Sequence, residues 1–155
     1  MGKVIELTPF DLAQRFVGEV KEVNGDLDSP FIQWCLECVG FGPEVHDEVP
    51  WCSAFASRIC WMLRLPRSKS AMARSWLNVG TPVPLEQAVV GFDVVIIQRG
   101  TAPQPGPEEL NASGHVGFFA GLQFEMISIL GGNQGNAVNV DRFSKNRLLG
   151  VRRLV

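Results

Sequence analysis

The sequence predicts an α+β fold, with helices first and an antiparallel sheet after them. Three observations carry this. Apolar residues recur at helical spacing over roughly the first 80 positions, then give way to short β-branched and aromatic runs broken by Gly, Pro and Asn. The 155 residues suit one domain. No internal repeat or linker divides the chain, so residues 1–155 are expected to form a single domain.

The elements follow in order. Thr8 before Pro9 reads as an N-cap with proline in the first turn. Phe10, Leu12, Ala13, Phe16, Val17 and Val20 extend that helix to about Val23, with Gly25 beyond its end. Ser29-Pro30 opens a second helix that stops near Gly40, and 41–50 is a loop carrying Glu44, His46, Asp47 and Glu48. Phe55, Ala56, Ile59, Met62 and Leu63 place a buried third helix over 52–64. A short helix over 71–79 ends at Gly80. Strands are predicted over 92–98, 115–121, 124–130, 137–140 and 148–154, five in all. The loop over 100–113 contains Pro103, Pro105 and Pro107 and is long enough to suggest a functional rim.

Composition excludes several classes. Apolar residues are 46% and charged residues 19%, which supplies a core and argues against disorder. A net charge of −2 is not that of a nucleic-acid polycation. No apolar run reaches the ~18 residues of a membrane span, so no membrane insertion is expected. The N-terminus, with Lys3, Glu6 and Pro9, lacks the apolar core of an export signal. Synthesis in the cytoplasm, with another route to any external site, is therefore expected. Charge is uneven: residues 1–50 carry three basic and ten acidic groups, residues 51–80 five basic and none acidic. Two readings follow, a polarised cleft for a charged substrate or mutual pairing of the two segments.

The four cysteines fall within 26 positions, too close and too few for a disulfide framework in a chain without an export signal. Cys35 and Cys38 form one C-x-x-C with no second pair, so zinc is not expected, and both sit in an apolar run. Cys60 continues the helical pattern begun at Cys52. Cys52 itself falls at the start of the third helix, where unpaired N–H groups and the helix dipole favour a thiolate. It is either a nucleophile or a buried helix-start cysteine. A cysteine nucleophile needs a base that also protonates the leaving group, and histidine suits both tasks. His115 opens an otherwise apolar strand. Asn133 follows the next strand, where a hairpin would set it beside His115 to orient the ring, though flanking glycines also mark Asn133 as a turn residue.

Pro50-Trp-Cys-Ser-Ala-Phe55, Ala73-Arg-Ser-Trp76, Gly91-Phe-Asp-Val-Val95, Gly114-His-Val-Gly-Phe-Phe119 and Gly131-Gly-Asn-Gln134 appear in that order. Together they resemble the papain-like cysteine hydrolases of the NlpC and CHAP (cysteine, histidine-dependent amidohydrolase/peptidase) type, and most of all the small phage-lysin branch. The match runs over roughly 50–150. The resemblance implies a papain-like arrangement, with a helix-borne cysteine packed on the sheet that carries the histidine. It implies Cys52 as nucleophile, His115 as base and Asn133 as third residue, and hydrolysis of peptidoglycan amides at the stem or the sugar–peptide link. The chain departs from the family in having Gly131 where many members carry an acid, and no histidine follows His115. Only Asn133 or Gln134 could then be the third residue. Gln134, Trp51 and Trp76 are candidates for the substrate groove, with core packing the competing reading for both tryptophans.

No cofactor or metal is expected, and the partner is bacterial peptidoglycan, bound by a monomer without a separate wall-binding domain. Acting as an endolysin, the protein would reach the wall after release; as a delivered effector of the same chemistry, it would have a cognate inhibitor. The rivals are metal-dependent chemistry on Glu44, His46, Asp47 and Glu48, and an inactive wall-binding or phage structural module. For the oxyanion, the Cys52 N–H is the expected donor, joined by His46 or Glu48 from the preceding loop.

Overall fold

The computed structural model describes residues 2–23 and 27–155; the helix stop expected at Gly25 lies outside them. Helix α1 (Pro9–Gln14) opens with a capping box, in which Thr8 Oγ1 accepts from the Asp11 N–H and Asp11 Oδ2 accepts from the Thr8 N–H. Ser29 caps α2 (Pro30–Glu37) by accepting from the Ile32 N–H. Helix α3 (Cys52–Met62) has no side-chain cap: Trp51 occupies the cap position with nothing to offer the first N–H groups.

Six strands follow: β1 (Thr81–Val83), β2 (Asp93–Gln98), β3 (Gly114–Gln123), β4 (Met126–Gln134), β5 (Ala137–Ser144) and β6 (Leu148–Arg153). They form one sheet in the order β1-β6-β2-β3-β4-β5, every neighbour antiparallel. The fold is α+β. Gly135 and Asn136 join β4 to β5 with φ of +60° and +62°, the paired left-handed residues of a type I′ hairpin turn.

The core lies on both faces of the sheet. On the helical face, Val94, Ile96, Val116, Phe118 and Leu130 pack with Phe55, Ala56 and Ile59 of α3 and with Ile32 and Leu36 of α2. On the other face, Val95, Ile97, Phe119, Ile127, Ile129 and Val151 are covered by Leu85, Phe143 and Leu148. Because α3 lies between the sheet and the other helices, its residues from Cys52 to Cys60 are buried all round. The polar ones are satisfied internally. Ser53 Oγ donates to the Ser70 carbonyl at 2.7 Å, and the buried Arg58 guanidinium donates to the Trp34 carbonyl while lying 4.1 Å above that indole ring.

Five elements differ clearly from the sequence expectation. The first helix stops at Gln14, because Gly18 turns the chain at φ +79° and residues 18–22 pair with the edge of β5. There the Val138 N–H donates to the Val20 carbonyl at 2.9 Å, and the Glu22 N–H to the Asn136 carbonyl at 2.8 Å. The segment over 71–79 is a 3-10 turn, Ala73–Asn78, rather than an α-helix. A sixth strand, β1, is built around Pro82, which an edge strand tolerates. Finally β4 runs on to Gln134 and β5 to Ser144, each four residues past its expected end.

Among the described residues the charge blocks do not pair with each other. Among the described residues the ion pairs are His46–Asp28, Lys145–Glu125 and Arg153–Asp93. Arg74, from the basic middle segment, is fully buried without a carboxylate. Its guanidinium donates to the carbonyls of Ser113 at 2.8 Å, Gly106 at 2.6 Å and Pro105 at 3.1 Å. It therefore gathers the long loop between β2 and β3 against the end that leads into Gly114 and His115.

Candidate active site

Packing α3 on β3 and β4 sets the start of the helix above the start of β3. Cys52 is the first residue of α3 and His115 the second of β3, paired with Ile97 of β2. Both are nearly buried, at 3% and 5% exposure. Burial acts against the charged thiolate. The His115 imidazole, by hydrogen bond and by charge, outweighs it, helped by the Val116 N–H and the Arg99 guanidinium, so the Cys52 thiol lies below its ordinary range. His115 is shifted the other way. Burial disfavours its charged form, but the Cys52 sulfur and Gln134 favour it more, and its pKa is raised. Opposite shifts that each group imposes on the other favour an ionised thiol beside a protonated imidazole, and the two titrate as a coupled pair.

The other cysteines contrast with this one. Burial pushes the Cys60 thiol up to about 12 and the Cys35 thiol higher still. All four cysteines are free.

The residue bonded to His115 is Gln134, not Asn133. Gln134 Oε1 lies 2.9 Å from His115 Nε2. The amide orientation is fixed on its other side, where Gln134 Nε2 donates to the Asn139 carbonyl and to Asn139 Oδ1, each at 2.9 Å, and to the Ile129 carbonyl at 3.1 Å. Asn139 Nδ2 in turn donates to the Gln134 carbonyl at 2.7 Å. With Oε1 obliged to accept, Nε2 carries a proton and Nδ1 is the nitrogen left for Cys52. Asn139, which fixes the amide, was not among the sequence candidates; its signal is a polar residue between Val138 and Val140.

A β-bulge explains the exchange of Asn133 for Gln134. Gly131 pairs with Asn139 and Gln134 with Ala137, three steps on β4 against two on β5. The extra residue flips the alternation, so Gln134 shares the face of Gly131 and His115. Asn133 takes φ +56° in the bulge and borders the cleft beside His115. Gly131 is required there: a Cβ on it would stand 2.7 Å from Gln134 Oε1 and 3.4 Å from His115 Nε2.

Trp51 and Trp76 do not line a groove. Both are completely buried. Trp51 lies edge-on to Phe55, with ring centroids 6.4 Å apart, and fills the space left by Gly132, where a Cβ would come within 2.4 Å of the indole. Its N–H donates to Glu22 Oε1 at 2.9 Å, and that of Trp76 to Ser53 Oγ at 2.9 Å. Each indole finds an interior partner for its one polar atom, so nothing holds it at the surface. Gln134, placed in the groove by the sequence reading, borders the cleft but is 3% exposed and committed to His115.

Two clefts meet at the pair. One, of about 310 Å³, is bordered by Cys52, Pro50, Met72, Ala73, Ser113 and Arg99. The other, of about 140 Å³, is bordered by His115, Asn133, Asp141, Phe143, Arg147 and again Arg99. Phe143 stacks at a tilt on the imidazole, 5.5 Å between centroids. Of the loop before α3, only Pro50 borders a cleft. His46 Nδ1 binds Asp28 at 3.1 Å, and Asp47 is buried, its Oδ2 accepting from the Ser29 and Val23 N–H groups. Neither His46 nor Glu48 borders the sulfur, which corrects the expectation of an oxyanion donor from that loop. Among the described residues no three His, Cys, Asp or Glu side chains converge as a metal site.

No protein-family model matches the sequence, and neither does any curated protein. The solved structure of NlpC1 from Trichomonas vaginalis is similar over 86% of this chain and 46% of its own, at 13% identity and a TM-score of 0.37. The chain thus spans about half the length of that protein.

Proposed function

We propose that the protein is a cysteine amidohydrolase acting on amide bonds of peptidoglycan, with Cys52 as nucleophile, His115 as acid and base, and Gln134 as the residue that orients the imidazole. The observation that carries the reading is the connected set of thiol, imidazole and amide, with Gln134 fixing the proton on Nε2 and leaving Nδ1 to the sulfur. The substrate class rests on the ordered motifs around Cys52, His115 and Gly131.

The chemistry runs as acyl transfer. The Cys52 thiolate adds to the amide carbonyl carbon, and the oxyanion takes its hydrogen bonds from N–H groups at the uncapped start of α3. His115 Nδ1–H gives its proton to the nitrogen as the C–N bond breaks, the amine leaves, and a thioester remains on Cys52. His115, now neutral, takes a proton from water as that water attacks the thioester. The carboxylic acid is released, and the proton on the ring restores the ion pair.

This cycle starts only when Cys52 is ionised and His115 protonated. Formation of the thiolate sets the acid limb and loss of the imidazolium proton the alkaline limb, as two apparent pKa values that belong to the pair. Digestion of purified sacculi, followed by mass spectrometry of the released fragments, is expected to give new amine and carboxylate ends. Its pH profile is expected to be a bell spanning neutrality, with the acid limb below the ~8.5 of a free thiol and the alkaline limb above the ~6.5 of a free imidazole. A single limb rising near pH 8.5 would contradict the ion pair, and absence of new ends at every pH would contradict the hydrolase.

A further inference from the structure

Arg99 is the residue that both clefts share, and nothing in the cycle above uses it. It follows Gln98, the last residue of β2, whose partner across the sheet is Gly114, next to His115. Its backbone is therefore anchored in the sheet beside the reacting pair, and Gln98 Nε2 donates to the Gln104 and Pro105 carbonyls of the adjoining loop. The Arg99 side chain is exposed and has no ion-pair partner among the described residues. Of the other arginines near the sheet, Arg74 is occupied by loop carbonyls, Arg153 by the Asp93 carboxylate at 2.8 Å and Arg152 by the Leu77 carbonyl at 2.7 Å, while Arg147, with Asp141, borders the His115 cleft and not that of the sulfur. Arg99 thus presents a permanently charged planar fork at the junction of two clefts, one holding the nucleophile and the other the proton donor. A guanidinium in that setting suits a carboxylate, because a substrate seated in the clefts displaces water and strengthens a charge-assisted hydrogen bond.

We propose that Arg99 binds a carboxylate carried by the substrate beside the scissile amide, so that anionic amide substrates are selected over their neutral counterparts. The proposal rests on the hydrolase reading and adds the substrate feature that this site recognises. Arg99 is a specificity residue, since the bond-making and proton transfers belong to Cys52 and His115. Its charge also bears on both members of the pair, favouring the thiolate and opposing the imidazolium.

The test compares soluble muropeptides with the same muropeptides after carbodiimide coupling of their free carboxylates to ammonia. The native protein is expected to favour the untreated form by about tenfold or more in kcat/KM, the size of one charge-assisted contact. Arg99→Gln is expected to bring the two forms within about twofold by lowering the anionic one far more than the neutral one, and Arg99→Lys to keep part of the preference. No preference in the native protein, or an equal fall on both forms in Arg99→Gln, would overturn the proposal while leaving the hydrolase standing. Cleavage of neither form would overturn the hydrolase reading and this substrate role with it. A second measurement needs no turnover, the alkylation of Cys52 by anionic iodoacetate against neutral iodoacetamide. Arg99→Gln is expected to slow iodoacetate several-fold more than iodoacetamide; equal slowing of both would refute anion attraction at Arg99.

Discussion

Cys52→Ala is expected to lose digestion of purified cell walls by about 10⁴-fold or more while remaining folded, since no other nucleophile bordering the clefts is paired with His115. The fold should tolerate the change. Alanine favours a helix start as well as its interior, and removing one sulfur from a site that borders a cleft leaves little to collapse. The more telling consequence falls on His115. Its raised pKa depends first on the Cys52 sulfur. Without that partner, burial is left as the main influence, and the imidazole is expected to titrate below its native position. Wall digestion and histidine NMR titration on the same sample read both effects. Activity retained within tenfold in the alanine variant, or an unchanged His115 titration, would show that sulfur and ring do not work together.

The second large effect separates two neighbours. Gln134→Ala is expected to lower kcat by about 10²-fold or more with KM little changed, because the His115 ring loses the group that fixes its tautomer and orientation. Asn133→Gly is expected to stay within a few-fold of native. Its side chain borders the cleft without bonding the ring, and its φ of +56° is one that glycine adopts freely. Kinetics of the two variants on the same muropeptide decide the matter. The reverse ranking would return the third role to Asn133.

These neighbours also show why part of the site is legible in the sequence and part is not. That Cys52 starts a helix and His115 starts a strand are local properties, set by Pro50, by the apolar spacing after Cys52 and by the run of apolar residues after His115. Which of Asn133 and Gln134 faces the ring depends on one extra residue in the pairing of β4 with β5, and alternation along a single strand carries no trace of it. The tryptophans are decided by partners far along the chain: the missing Cβ of Gly132 and the Glu22 carboxylate for Trp51, the Ser53 hydroxyl for Trp76. The same holds for the fold. The short strand β1 exists because β6 pairs with it across about 70 residues, and α1 ends early because β5 claims the backbone of residues 18–22. Long-range pairing overrides local propensity at each of these places.

The clefts add an asymmetry that composition alone conceals. The basic middle segment does not neutralise the acidic front. Arg58 and Arg74 are spent inside on carbonyl oxygens, and the cations that border the clefts, Arg99 and Arg147, come from outside that segment. The net charge of −2 therefore says little about the field a substrate would meet.

The central claim is that Cys52 is an activated thiolate at neutral pH. The direct measurement is alkylation of the native protein by iodoacetamide across a pH series, with the modified residues mapped by mass spectrometry. Cys52 is expected to react well ahead of the buried Cys35 and Cys60, whose thiols are held far up by burial, and its rate is expected to persist below pH 8 where a free thiol falls away. A Cys52 that labels no faster than the other three, or whose rate follows an ordinary thiol near pH 8.5, would contradict the account.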